Sequence, residues 1–174
     1  MIFSKLFVMS HSSKIVSGSS SYSLRNYRAD EADLACDVRG LVSEDSRARF
    51  KKRLETIGEW TDHYLHLAID KDGELIGDLQ LRHCEKTMPD GLAHLGIDIS
   101  DDQRGKGAGT ITLALAWQWA QDNNFHRLEG STEVSNVAMR RAFEKAGWSF
   151  EGIQKNLFFK DGVGHDYLSF AKTI

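Results

Sequence analysis

The sequence predicts an α+β domain, a mixed α/β arrangement in the order β-α-α-β-β-β-α-β-α-β-β, on three observations. Stretches in which apolar and polar residues alternate are interleaved with stretches whose apolar residues recur every three or four positions. The chain has 174 residues, a length that suits one hydrophobic core rather than two. Hydrophobic residues make up 41 % and charged residues 27 %, the composition of an ordinary globular domain and not of a disordered chain.

The elements follow in order. Residues 1–9 are apolar in places, but Ser4 and Lys5 interrupt them, so a secretory segment is not expected. The Ser-Gly-Ser-Ser-Ser run at 17–21 reads as a flexible step, which makes 1–20 an irregular leader and 21–174 a single domain. Alternation over 22–27 gives a first strand. Asp30 is placed to cap a first helix carrying Leu34, Val38 and Leu41, and Ser43 to cap a second carrying Phe50, Leu54 and Ile57. The basic residues Arg47, Arg49, Lys51, Lys52 and Arg53 read as that helix's solvated face. Period-two runs at 63–70 and 74–83, joined through Lys71-Asp72-Gly73, form a hairpin.

Residues 91–100 form a central strand, with Ala93, Leu95, Ile97 and Ile99 on one face and Leu92, His94, Gly96 and Asp98 on the other. A helix over 108–123 is apolar nearly all round, as expected of one packed on a sheet. A strand at 127–133 follows. Then comes a helix capped by Ser135 and ended by Gly147, with Met139, Ala142, Phe143 and Ala146 on one face. Strands at 149–160 and 165–172 complete the order.

Charge and cysteine usage exclude several functions. Twenty-two basic against 25 acidic side chains leave a net charge of -3, which argues against a nucleic-acid partner. No apolar stretch is long enough to span a membrane. Cys36 and Cys84 form no disulfide framework or zinc pattern, and a cytoplasmic location is expected. His63 and His66 fall on opposite faces of a strand, so no metal site is expected either.

The segment between the central strand and the long helix carries the chemistry. In Arg104-Gly105-Lys106-Gly107-Ala108-Gly109-Thr110, alternate glycines let successive backbone amides converge at a helix N-terminus, where unpaired N–H groups and the macrodipole favour an anion. The nucleoside-triphosphate loop G-x-x-x-x-G-K-[ST] is absent. The spacing also differs from the G-x-G-x-x-G of dinucleotide folds.

This segment resembles the R/Q-x-x-G-x-G/A acyl-CoA motif of the GNAT (GCN5-related N-acetyltransferase) superfamily. Asn136-Val137-Ala138 leading to Phe143-Glu144-Lys145-Ala146-Gly147-Trp148 looks like the family's second signature. Phe150-Glu151-Gly152, Phe158-Phe159-Lys160-Asp161-Gly162 and Asp166 are similar to the closing segment of ribosomal-protein alanine and spermidine N-acetyltransferases. The resemblance implies a splayed, mostly antiparallel mixed sheet flanked by helices, open between the central strand and the one at 127–133. Acetyl-CoA, the acetyl-donor cosubstrate, would lie in that gap. Arg104 to Thr110 would hold its pyrophosphate, and the backbone of Ile97 to Ile99 would pair with its pantetheine arm. Asn136 would contact the same arm, or serve only as a helix-start residue. Arg140 and Arg141 read as a solvated helix face rather than as ligands of the 3′-phosphate.

The implied reaction is direct attack of a primary amine on the thioester in a ternary complex. The amine belongs to a protein N-terminus or a small molecule. An alkyl ammonium has a pKa of about 10.4 and must lose a proton first. Where many relatives carry a glutamate for this step, this chain has His94, which reads equally as a base or as a structural histidine; Asp98 is the alternative base. Where many carry a tyrosine that protonates the thiolate, it has Phe143. A catalytically silent acyl-CoA-binding or sensor module is therefore the competing reading. Pairing through the last strands is common among relatives, which leaves a homodimer open.

Overall fold

The computed structural model describes residues 14–56 and 58–174. Expectations placed on 1–9, and on Ile57 in the second helix's stripe, fall outside these residues. In chain order the elements are β1 (Lys14–Ser17), β2 (Ser20–Arg25), α1 (Ala32–Val38), α2 (Glu44–Leu54), β3 (Tyr64–Lys71), β4 (Glu74–Arg82) and β5 (Leu92–Ile99). A 3-10 turn (Asp101–Gln103), α3 (Ala108–Asp122), β6 (Arg127–Glu133), α4 (Val137–Lys145), β7 (Ser149–Lys160) and β8 (Val163–Thr173) follow.

One eight-stranded sheet runs in the order β1-β2-β3-β4-β5-β6-β8-β7. Every neighbouring pair is antiparallel except β5 and β6. The β5–β6 pairing covers only Leu92↔Arg127 to Leu95↔Gly130. Beyond that rung the two strands part, and Gly96 to Ile99 keep a partner on the β4 side alone.

Each face of the sheet has its own core. Leu67, Leu79, Leu81, Leu95, Leu128 and Phe170 face α3 and α4, where Leu113, Ala116, Trp119 and Phe143 cover them. On the other face Ala68 and Leu75 pack with Ala35 and Cys36 of α1 and Phe50 of α2. The helix α3 buries Leu113, Leu115, Ala116 and Ala120 completely. Each such leucine contributes about 1.5–3 kcal/mol, which is what fixes the helix and the loop before it. Among the described residues no helix is long and apolar enough to cross a membrane.

Three local expectations need correction. The supposed irregular leader is ordered from Lys14 on: β1 pairs with β2, Ile15 packs on the main core, and Ser17 to Ser20 close the hairpin. The Ser-Gly segment is therefore a tight turn, and β2 begins at Ser20. In α1 the N-cap is Glu31 and not Asp30, and the buried residues are Ala35 and Cys36, with Leu34 half exposed. Small side chains win there because the helix lies close to β4. In α4 the cap is Asn136 and not Ser135; its Oδ1 accepts a hydrogen bond from the Met139 amide at 3.0 Å. By contrast Ser43 caps α2 as its spacing predicts, accepting from the Ser46 amide.

Candidate acyl-CoA cleft and its reactive face

The parting of β5 and β6 opens a cleft of about 530 Å³. Its walls are Ile97, Asp98 and Ile99 on one side and Asn136, Met139, Arg141 and Lys145 on the other, with Arg104, Gly105, Gly107, Gly109 and Thr110 at the mouth. The structure thus brings together most of the residues singled out for cofactor binding. Lys106 is exposed outside the cleft walls, and the Ala108 side chain is buried in the core, leaving only its backbone for a ligand.

The loop has the geometry an anion requires. Gly107 is the N-cap of α3 with φ 89°, and Gly105 has φ 72°. A Cβ at either would meet nothing within 4 Å, so these glycines serve backbone conformation and approach rather than packing. The first amides of α3 have no carbonyl partner within the helix, and with the helix dipole they present donors and positive potential at the cleft mouth. Arg104 is committed locally: its Nε donates to the Ile99 carbonyl at 2.9 Å, and Nη1 lies 2.6 Å from Asp101. The edge of β5 over Gly96 to Ile99 adds backbone groups that an extended ligand can pair with as an added strand.

Several cleft residues escaped the sequence reading. Gln103, Ala138, Met139, Arg141, Ala142 and Lys145 all line the cleft. On α4 these fall at 138, 139, 141, 142 and 145, one broad face at helical spacing, and that periodicity was the available signal. Arg141 thus borders the cleft while staying exposed, as its reading as a solvated residue expects. Arg140 instead lies 3.6 Å from Glu144 in an ion pair.

On the face of α1 and α2 stand His94, Gly96 and Asp98, opposite Arg82, Gln80 and Asp78 of β4. His94 occupies the rung beside the last paired one. Arg82 Nη2 lies 3.2 Å from its Nδ1, and Glu129 of β6 lies 2.9 Å from its Nε2. Arg127 holds Glu129 in turn, at 2.6 Å. Asp98 sits further along β5, 3.4 Å from Arg39. Burial pushes its carboxyl above the ordinary range, and Arg39 offsets part of that while Asp78 adds to it. Asp98 and Arg104 also border a second hollow of about 470 Å³, shared with Asp37 and Arg39.

Behind Asp98 lies a buried polar cluster. Asp78 has no exposed surface. It accepts the Tyr27 hydroxyl at 2.7 Å, stands 3.1 Å from His66 Nδ1 and pairs with Arg39. Burial alone would push its carboxyl up, but these hydrogen bonds and charges outweigh it and hold the group below the ordinary carboxylate range. Phe143, at the position of the family's acid, is 1 % exposed and stacks on Phe170 at 4.6 Å, so it brings no polar group to the cleft.

Comparison with known proteins agrees with this geometry. The model of the acetyltransferase (GNAT) domain family matches residues 23–149. A probable N-acetyltransferase of Bacillus subtilis, YjcK, is 26 % identical over 125 residues, which are 71 % of this chain and 68 % of that one. Mycobacterium smegmatis RimJ, solved in complex with CoA-disulfide, superposes with a TM-score of 0.73 at 19 % identity, covering 93 % of this chain and 86 % of that one. The ribosomal-protein-alanine N-acetyltransferase of Brucella melitensis gives 0.70 at 18 % identity, covering 87 % and 99 %. At these identities the structural matches establish the fold, and the family match extends over most of the chain. The splayed sheet, the glycine loop at the head of α3 and the matching domain together make this chain a member of the GNAT family, an N-acetyltransferase.

Proposed function

We propose that the protein transfers an acetyl group from acetyl-CoA to a primary amine by direct attack in a ternary complex. The observation that carries the reading is the β5–β6 gap, which ends at Leu95↔Gly130 and has the amide-lined head of α3 at its mouth. The amides of Gly107 to Thr110 suit the pyrophosphate. Arg141 and Lys145 add positive charge on the opposite wall, and the β5 edge at Ile97 to Ile99 suits the pantetheine arm. Bound acetyl-CoA supplies the thioester and a thiolate leaving group.

The amine would approach from the face of α1 and α2, where His94 takes its proton. As held here, Nδ1 accepts from Arg82, since a guanidinium can only donate. Arg82 is exposed, so an incoming amine can displace it. Asp98 is the second candidate base, though its tie to Arg39 and its place further along β5 favour a role in shaping the acceptor side. The hollow shared by Asp37, Asp98, Asp101 and Asp102 suits a cationic acceptor. Phe150, Phe158 and Phe159, exposed along the edge strand β7, support pairing of two copies there.

The test is release of CoA thiol from acetyl-CoA with spermidine, a peptide bearing an N-terminal alanine, and free amino acids. Turnover with at least one of these is expected. Acetyl-CoA binding without turnover on any amine would instead favour the silent binding module.

A further inference from the structure

We infer that Glu129 is a positioning residue for the proton acceptor: a carboxylate on β6 that holds His94 in one tautomer and balances the charge it gains during transfer. The inference rests on His94 as the proton acceptor, and it adds a residue outside the acyl-CoA motif and the α4 signature. Its basis is the parallel β5–β6 register, which sets His94 directly opposite Glu129 on the last rungs before the strands part.

Two contacts fix the ring's protonation pattern. Arg82 Nη2 stands 3.2 Å from Nδ1, and because arginine has no lone pair to offer, Nδ1 must be the acceptor. The neutral ring then carries its proton on Nε2, the nitrogen 2.9 Å from Glu129 Oε2. Arg127 Nε, 2.6 Å from Glu129 Oε1, keeps the carboxylate turned to this rung, and Arg127 also pairs with Glu151 of β7. The charged groups facing the imidazole are thus Arg82 from β4 and Glu129 from β6, with Arg127 and Glu151 behind.

Nδ1 is accordingly the basic nitrogen once Arg82 moves aside. As the nitrogen of the neutral amine, its ammonium proton already released to solvent, bonds to the acyl carbon and the C–S bond breaks, the nitrogen's further proton passes to Nδ1. The charged ring is then flanked by Glu129, and the departing thiolate takes up that same proton. The arrangement follows the logic by which a carboxylate fixes the tautomer and steadies the cation of a catalytic histidine. It also answers two departures from the family pattern together: the missing glutamate on β5 is replaced by a histidine backed by a carboxylate on the next strand, and that ring's proton serves where Phe143 cannot.

The experiment compares wild type, Glu129→Gln, Glu129→Asp, His94→Gln and the Glu129→Gln/His94→Gln double variant. Thiol release is followed with the fastest acceptor among spermidine and the alanine peptide, and acetyl-CoA affinity is measured by calorimetry. Glu129→Gln is expected to lower kcat about 10²-fold with acetyl-CoA affinity, amine KM and melting temperature unchanged. Glu129→Asp should recover part of the loss, and the double variant should be no worse than His94→Gln alone. A full kcat in Glu129→Gln, or losses that multiply in the double variant, overturns the inference while leaving His94 in place. A fully active His94→Gln overturns the proton-acceptor reading itself, and this inference with it.

Discussion

Gly130 leaves no room for a side chain: a Cβ there would come within 2.8 Å of the Phe143 ring and 3.3 Å of Leu95. That close approach, on the rung where β5 and β6 part, seats Phe143 beneath the cleft as packing and removes it from the chemistry. Gly107 is the opposite case, with open space around it but a left-handed backbone at φ 89°. A valine there has room yet disfavours the conformation that aims the α3 amides, a strain of about 1–3 kcal/mol. Gly107→Val is therefore expected to weaken acetyl-CoA binding about tenfold or more in a calorimetric titration. Unchanged affinity would sink the assignment of the loop.

At the scale of elements, α4 has two duties. Its N-cap Asn136 satisfies the Met139 amide and also lines the cleft, while the helix turns Arg141, Ala142 and Lys145 toward the cleft and buries Phe143 in the core. Replacing Asn136 with alanine should lower stability by about 1 kcal/mol in chemical denaturation, and Asn136→Ser should recover most of it. Equal stability of the alanine variant would mean that the cap contributes nothing. The helix α3 acts more simply, since its buried leucines and alanines hold it rigid and the loop before it presents its amides in a fixed place.

At the scale of the molecule, the two faces of the sheet divide the labour. The α3–α4 face supplies the main core and the cleft wall, and the α1–α2 face carries His94, Asp98 and the Asp78 cluster. Because the Asp78 carboxyl is held below its ordinary value, its stabilising contribution is complete above the unfolded value and is lost as pH falls through the folded one. Glu31, held down by Arg25 and the Arg28 amide against a smaller opposing effect of burial, acts in the same direction. Melting temperature should therefore fall between about pH 5 and pH 3, and Asp78→Asn should flatten part of that slope. An unaltered slope in the variant would show that the cluster does not couple to acid stability.

The order of strands and helices from β2 to β8, the Asp72–Gly73 hairpin and the glycine loop were all legible in the sequence, because periodicity, capping and turn chemistry act between near neighbours. Where the reading failed, packing prevailed. Ile15 gains burial on the main core, so the serine-rich run becomes a hairpin, and α1 turns small residues inward because it lies close to β4. The chain by itself determined a glycine loop at a helix head and a histidine on the central strand. Only the tertiary structure decided where β5 and β6 part, that Glu129 and Arg82 flank that histidine, and that Arg141 faces the cleft. Those contacts depend on strand register and on which face of a helix meets the sheet, and both are set by packing between distant segments.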